Sequence, residues 1–526
     1  MTAATAMTAV DDAALLGHAR TALAARLDAP TLRRSPASLA AITHRGAVIA
    51  ASAHGEPRRD GAPTTPGTIF RIASMSKSFL AATALSLRDE GLLDLHAPAA
   101  EYVPGIAAAR FDDEPFSLTL DALLSNRGGL GEDNAWGDEH LGSSREEMAA
   151  HVEAGLRPAT RPGTEYRYSN LGISLIGRAI EAVTGRDVED VVRARLLDPL
   201  GLTDTRASAD LYPAGSDLAA GFRTFDDGAA FTPEPYVGSG ALACIGSLFS
   251  TASDIAAWMH FLGSAFESGA SPADGVLRAA SRREMQTART LIPTSAWTAS
   301  GRVLDGAGYG YGTVVEHDRR FGRVVQHAGG LPGFSSHMRW HTATGIGVVV
   351  FGNSDSFGAG SVAGDLLSDV LGLIDAPAAL VRPWPETLEA ARRIDALLRA
   401  GRPLTDAAEL LARNVLRDVP ADVRSSRLAE ALAETGAIRP ATDPFPERIV
   451  SASDRSALRW TIPCERGALV CDLRMIGLHD PLVQEIAILP AGEDGRKPRD
   501  EPAHVTDHHR LAPAQERTRG VQEGVR

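Results

Sequence analysis

Residues 68–91 read TIFRIASMSKSFLAATALSLRDEG, and the second half of this stretch is a strong helix signal. From Ser74 onward, apolar residues recur at helical spacing, and Gly91 ends the run. The apolar positions are Phe79, Leu80, Ala82 and Leu85. The pattern predicts a buried helix that Ser74 opens.

Ser74 and Lys77 are three residues apart, so on this helix their side chains share a face within hydrogen-bond reach. The positive end of a helix dipole favours a serine alkoxide and disfavours a protonated lysine. Of 53 basic residues only two are lysine, Lys77 and Lys497. A lysine can become a neutral base, whereas arginine cannot. The pair predicts an activated nucleophile, and the structural alternative is a helix start with a solvated lysine.

Two further segments carry candidate catalytic groups. In EYRYSNLG, Tyr168 and Asn170 flank one residue, so extended backbone would point both side chains the same way. Alternatively, Asn170 caps the helix that LGISLIGRAI begins. In VVQHAGGLPGF, His327 ends a predicted strand and is followed by Gly329 and Gly330, where missing side chains allow close approach to a substrate.

The remaining periodicity predicts an α+β fold in two domains. SLAAITHRG and AVIAASAHG form a hairpin; YGYGTVVEH, RVVQHAGG, FSSHMRWH and GIGVVVFGNS are antiparallel strands that join it. Residues 118–265 form a helical insertion. The predicted domains are 12–372 and a small α+β domain at 385–490, in which DAAELLARNVL is helical, with a disordered tail at 491–526.

Composition excludes several classes of partner. The net charge of −13 and the absence of a basic stripe exclude a nucleic-acid binder. No segment has the length and apolarity of a membrane span or a signal peptide, so we expect a cytoplasmic protein that does not bind membranes. Three cysteines exclude a disulfide framework. No metal signature is present, since the histidines of the tail predict only a solvated cluster, and no cofactor is expected.

The order SMSK, YSN and HAG resembles the three motifs of the penicillin-recognising serine hydrolases, which include β-lactamases, DD-peptidases, D-aminopeptidases and related esterases. The resemblance covers roughly residues 30 to 370 and implies the β-lactamase/transpeptidase fold. It implies that Ser74 attacks an acyl carbonyl and that Lys77 removes its proton. Tyr168 would be a base or proton relay, and Asn170 would hold Lys77 and the acyl side of the substrate. Backbone N–H groups of Ser74 and Gly330 would form the oxyanion hole, beside a substrate-binding Gly329.

His327 departs from the lysine that begins this motif in β-lactamases and DD-peptidases. A neutral histidine makes carboxylate-bearing substrates less favoured. We therefore expect a serine hydrolase that acts on small esters, amides or peptides. The leading expectation is an esterase. The alternatives are a D-aminopeptidase or D-amino-acid amidase, an acyltransferase or peptide-cyclising thioesterase, and a non-catalytic sensor or binder. Loops around 130–150, 210–240 and 290–306 should select the substrate, and the oligomeric state stays open.

Overall fold

The structure is a computed structural model that describes residues 12–27, 34–267, 272–293, 302–376, 381–440 and 442–492. The chain forms two compact units, which divide after residue 380. The predicted disordered tail lies outside the described residues, apart from 491 and 492.

An eight-stranded antiparallel sheet organises the larger unit. Its order is β2-β1-β14-β13-β12-β11-β10-β9, so the two ends of the unit meet where β1 pairs with β14, for example Ala41 with Val349. The strands are β1 Ala37–His44, β2 Ala47–Gly55, β9 Thr290–Leu291, β10 Leu304–Tyr309, β11 Val314–Asp318, β12 Gly322–Leu331, β13 Phe334–His341 and β14 Ile346–Gly352. The predicted sheet, built from both ends of the unit, is confirmed.

Alternation along the central strands creates two cores. On β14, Val348 and Val350 pack against the helices α1 (Asp12–Leu27) and α11 (Ala359–Leu373). Val349 and Phe351 point to the other face, into the core that contains helix α2 (Ser76–Asp89), which carries Lys77. Successive side chains of a strand face opposite sides, which explains why every residue of β14 is buried.

A mostly helical segment connects β2 to β9 along the chain, and it contains the insertion predicted at 118–265. Its short strands are β3 Phe70–Arg71, β4 Arg110–Phe111, β5 Glu114–Pro115, β6 Gly221–Arg223, β7 Thr232–Glu234 and β8 Phe249–Ser250. Its helices are α3 Leu120–Leu124, α4 Asn134–Glu139, α5 Arg145–Glu153, α6 Asn170–Thr184, α7 Val188–Val192, α8 Asp198–Leu200, α9 Ala252–Gly263 and α10 Ala279–Met285, and a π-helix spans Arg193–Leu197.

One predicted strand is wrong. YGYGTVVEH is not a single strand, because β10 ends at Tyr309 and β11 begins at Val314. The Gly310 N–H donates to the Thr313 carbonyl at 2.8 Å and closes the turn between them. Gly312 adopts φ +65°, and a β-carbon there would lie 2.5 Å from the carbonyl oxygen of Lys77. The positive φ angle and the close contact both require glycine at position 312. The alternation of tyrosines and glycines resembles the pattern of a strand and therefore does not indicate the turn.

The smaller unit packs helices α12 (Pro385–Arg399) and α14 (Ala421–Thr435) on a four-stranded antiparallel sheet. The strands are β15 Ile449–Ser451, β16 Ala457–Cys464, β17 Gly467–Met475 and β18 Val483–Pro490. The predicted helix over DAAELLARNVL is wrong: a 3-10 helix spans Leu404–Leu410 and only Val415–Asp418 (α13) is α-helical. The reason is a bridge between Leu411 and Val483, with Ala412 donating to the Val483 carbonyl at 2.8 Å.

Candidate active site

Ser74, the candidate nucleophile, lies on a strained turn that is anchored to the sheet. Ser74 belongs to a 3-10 turn, Ala73–Met75, and the α-helix begins only at Ser76, two residues later than predicted. Ala73 has φ +49°, a conformation that costs free energy for any residue with a side chain. The Ser336 hydroxyl of β13 donates to the Ile72 carbonyl at 2.7 Å, which anchors the turn to the sheet.

The Lys77 side chain points directly at the Ser74 hydroxyl. Its Nζ donates to Ser74 Oγ at 2.8 Å and to the Ile245 carbonyl at 2.9 Å. The side chain is only 1% exposed. Burial lowers the pKa of Lys77 from its ordinary value to about 7, against an opposing effect of the Asp138 carboxylate. A substantial fraction of Lys77 is therefore a neutral amine near neutral pH.

Tyr168 lies beside both groups. Its ring centroid is 5.1 Å from Lys77 Nζ, and its ring packs edge-on against Tyr309. Burial raises the pKa of the Tyr168 phenol far above its usual range, although a hydrogen bond with Ser74 opposes the rise. The phenol therefore keeps its proton at neutral pH and can donate or relay one.

Asn170 is the first residue of α6 and is 1% exposed. It does not cap that helix, because the Ser169 hydroxyl accepts from the Gly172 N–H at 3.0 Å and performs that role. Asn170 Nδ2 donates to Asn134 Oδ1 at 3.1 Å. Contrary to the expectation that it would hold Lys77, its Oδ1 is buried and has no hydrogen-bond partner among the described residues.

His327 is buried beneath the site with both ring nitrogens engaged. The Nδ1 atom lies 2.6 Å from the Ala328 carbonyl and therefore carries the proton. The Nε2 atom lies 3.1 Å from the Tyr309 hydroxyl and accepts a hydrogen bond from it. Burial, followed by the charge on Lys77, lowers the pKa of His327 to about 3. The ring is neutral, and its hydrogen bond with the Tyr309 hydroxyl suits a role in positioning Tyr309.

The two glycines after His327 differ in their surroundings. A β-carbon at Gly329 would overlap the Ile72 carbonyl and the Ser336 hydroxyl, so this position serves close packing with the nucleophile turn. At Gly330 a β-carbon would meet nothing within 4 Å. Gly330 pairs with Ser335, one step from the hairpin-closing pair of Leu331 and Phe334, so its N–H points away from β13. Pairing of β12 with β11 ends at Gln326, which leaves the Gly330 N–H at an open edge.

Sequence reasoning missed three features of this constellation. The Ile245 carbonyl is a backbone group, which no side-chain motif indicates. Tyr309 begins the segment YGYGTVVEH, which was predicted as a single strand. The carboxylate of Asp138, on α4, acts electrostatically on Lys77 and Tyr168, and burial raises its own pKa to about 6. The loop 130–150 was expected to border the site, and the acidic residues of GEDNAWGDEH were the available clue. Of the expected 290–306 loop, residues 294–301 lie outside the described part.

Among the described residues, no group of three or more His, Cys, Asp or Glu side chains could hold a metal ion. Within that part of the chain, no helix is long and apolar enough to cross a bilayer.

Comparison with known proteins identifies the family to which the chain belongs. A family model described as Beta-lactamase matches residues 23–370, which is most of the larger unit. The chain belongs to the beta-lactamase family. The resemblance of the three motifs and the predicted fold are thereby confirmed. Family members are serine hydrolases that act on ester or amide substrates, and they include esterases, DD-carboxypeptidases and a D-amidohydrolase.

Several curated proteins and solved structures resemble the chain. An unguisins hydrolase of Aspergillus campestris is 27% identical over 300 residues, 55% of this chain and 53% of that protein. Esterase EstB of Burkholderia gladioli is 29% identical over 203 residues, 35% and 51% of the two chains. The chain thus spans about half the length of these relatives. The octameric penicillin-binding protein homologue from Pyrococcus abyssi shares the fold, with a TM-score of 0.56 at 18% identity, covering 91% of this chain and 100% of that one.

Proposed function

We propose that this protein hydrolyses small esters, or amides, through an acyl-enzyme formed at Ser74. The observation that carries the proposal is the 2.8 Å contact between Ser74 Oγ and a lysine amine whose pKa lies at about 7. A nucleophile and its base at this distance, with the base partly neutral at working pH, meet the requirements of covalent catalysis.

Neutral Lys77 accepts the Ser74 proton while Oγ attacks the substrate carbonyl carbon. The resulting oxyanion receives N–H donors from Ser74 and Gly330. Collapse of this intermediate breaks the bond to the leaving group, which takes a proton from the Tyr168 phenol, and Lys77 returns a proton to Tyr168. Water then attacks the acyl-enzyme by the reverse relay and releases the acid. We assign Asn170 to the acyl side of the substrate, where its buried Oδ1, which has no partner among the described residues, would accept a hydrogen bond.

Uncharged acyl and leaving groups suit the site because His327 is neutral. With a pKa of about 3 and both nitrogens engaged, this ring offers no positive charge to a substrate carboxylate. An esterase is therefore favoured over a β-lactamase or a DD-peptidase. An aminopeptidase-like amidase is the second candidate, and the Asp138 carboxylate beside Asn170 favours it. Acyl transfer would proceed from the same acyl-enzyme.

The test combines a fluorophosphonate probe with p-nitrophenyl acetate. Wild-type protein should be labelled at Ser74 and should release p-nitrophenolate, and Ser74→Ala should do neither. A matched control is Ser76→Ala, which removes the neighbouring hydroxyl that donates to the Ala73 carbonyl at 2.7 Å. If the wild-type protein reacts with neither reagent, the result would favour the alternative of a non-catalytic sensor or binder. Product partition with added alcohol separates hydrolysis from acyl transfer, and nitrocefin turnover should be poor.

A further inference from the structure

The backbone on both sides of Tyr168 is bonded to a single residue, Asn126, which is 2% exposed. The Asn126 carbonyl accepts from the Arg167 N–H at 2.8 Å, and the side-chain oxygen Oδ1 of Asn126 accepts from the Ser169 N–H at 3.1 Å. Arg167 and Ser169 are the immediate neighbours of Tyr168 in the chain. The two bonds therefore fix the stretch of backbone from which the phenol projects.

Asn126 has a backbone conformation that few residues adopt. Its φ is +54°, in the left-handed region, which asparagine tolerates better than most other residues with a side chain. In this conformation its carbonyl and its side-chain oxygen both bond to the same segment. A residue that its surroundings hold in a sparsely populated conformation points to a functional constraint.

The neighbours of Asn126 are themselves held by other elements. The Thr290 hydroxyl of β9 donates to the Ser125 carbonyl at 2.8 Å, and the Asp121 carboxylate of α3 pairs with Arg127. Ser125 and Arg127 lie on either side of Asn126, so these contacts leave it little freedom to move. Asn126 is therefore a fixed point to which the tyrosine segment is bonded.

The start of helix α6 is held by a different residue. The Asp133 carboxylate accepts from the N–H groups of the first two residues of α6 and from the Ser169 hydroxyl. The bonds of Asn126 lie earlier in the chain and bracket Tyr168. Asp133 thus anchors the helix, and Asn126 anchors the segment that carries the phenol.

We propose that Asn126 is a positioning residue that keeps the Tyr168 phenol in place to protonate the leaving group. The proposal rests on the acyl-enzyme at Ser74 and on the proton relay through Tyr168. When the bond to the leaving group breaks, the leaving oxygen keeps the electron pair and takes the proton of the phenol, and Lys77 then returns a proton to Tyr168. A donor displaced by about 1 Å loses most of this effect. Asn126 acts on the reaction through the placement of Tyr168.

The test compares two acetate esters that differ in their need for this proton. The p-nitrophenolate anion is stable and leaves without a proton, whereas ethoxide must be protonated as it leaves. Values of kcat/KM are measured on p-nitrophenyl acetate and, by release of acid in a pH-stat, on ethyl acetate. Asn126→Gly removes the side-chain oxygen and keeps both the carbonyl and the positive φ. It should lose about tenfold or more on ethyl acetate but less than about threefold on p-nitrophenyl acetate, and Tyr168→Phe should show the same selectivity more strongly.

A purely structural role of Asn126 would not change the ratio of the two rates. Both rates are measured on one protein sample, so their ratio is independent of the fraction of folded molecules. Asn353→Gly is the matched control, because Asn353 is also buried and its side-chain oxygen accepts from the Ala37 N–H at 2.7 Å. This control should destabilise the protein and leave the ratio unchanged. Asn126→Asp keeps the side-chain acceptor and should retain the ratio of the wild type.

Three outcomes would overturn the proposal. The first is an equal loss of Asn126→Gly on the two esters, and the second is the same selective loss in Asn126→Asp. The third is a wild type that hydrolyses only p-nitrophenyl acetate, because no proton would then reach the leaving group, although Ser74 would remain the nucleophile. Failure of the proposed function gives a different result: the wild type would neither hydrolyse p-nitrophenyl acetate nor react with the fluorophosphonate.

Discussion

Gly329 of β12 lies against the backbone of Ile72, so that a β-carbon at position 329 would overlap the Ile72 carbonyl oxygen. Ile72 precedes Ala73, the residue at φ +49° that orients Ser74. The position of Ser74 therefore depends on a contact between two backbones, which a single methyl group would push apart.

Gly329→Ala should lower kcat for p-nitrophenyl acetate by about a hundredfold, because displacement of a nucleophile by about 1 Å has effects of this size. Gly330→Ala is the matched control: the new β-carbon meets nothing within 4 Å, and the backbone N–H is retained. Its rate should stay near that of the wild type. Equal activity of the two variants would contradict the role assigned to Gly329, and thermal unfolding curves would reveal any general loss of stability.

Lys77→Arg should abolish acylation nearly as completely as Ser74→Ala. The guanidinium keeps the positive charge but cannot accept a proton from Ser74 at any practical pH. Stopped-flow release of p-nitrophenolate and fluorophosphonate labelling both report this step. Substantial labelling of the arginine variant would show that charge, and not basicity, is what position 77 supplies.

The pH profile of kcat/KM should rise through about pH 7. Lys77 acts as a base when deprotonated, so the rate is low below its pKa of about 7 and reaches a plateau above it. The negative charge of Asp138 raises the pKa of Lys77, so Asp138→Asn should move the rising limb to lower pH. A shift to higher pH would contradict this assignment. An uncharged ester should be used, because its own ionisation cannot contribute.

His327→Gln should leave the rising limb in place. The histidine pKa, at about 3, lies far below the assay range, so the ring stays neutral throughout. Glutamine can also donate and accept hydrogen bonds, as the ring does toward Ala328 and Tyr309. We expect a reduced rate at an unchanged midpoint, and loss of the limb would identify His327 as the titrating base.

Glu316→Gln should destabilise the larger unit by about 3–5 kcal/mol, the usual consequence of removing one partner from a buried ion pair. Glu316 is fully buried and accepts from Arg302 at 2.8 Å and Arg339 at 3.0 Å, so its loss leaves two guanidiniums uncompensated. Asp305→Asn, which breaks an exposed pair with Arg319, should cost less than about 1 kcal/mol. Urea denaturation measures both, and similar values would refute the distinction.

Interactions within a few residues were predictable from the sequence. Ser74 and Lys77 are three positions apart, and their contact follows from local geometry alone. The partners of Lys77, His327 and Asn170 were not predictable, because the Ile245 carbonyl, Tyr309 and Asn134 reach them only through the tertiary fold.

Two errors in secondary structure have the same origin. Gly312 turns the chain where its backbone meets that of Lys77, and Leu411 leaves helical geometry to bridge Val483. In both cases a backbone group that is distant in the sequence overrides the local preference. A window of neighbouring residues does not contain that group, so the local pattern cannot predict its effect.

Lys77 also offers an analytical opportunity. It is the only lysine in the described part of the chain, and its pKa of about 7 leaves the amine nucleophilic where ordinary lysines are protonated. A small amine-reactive reagent that enters the cleft would modify Lys77 Nζ, and an acyl group on Ser74 would shield it. Peptide mass spectrometry of that mark would thus report occupancy of the cleft for any compound, without a chromogenic substrate.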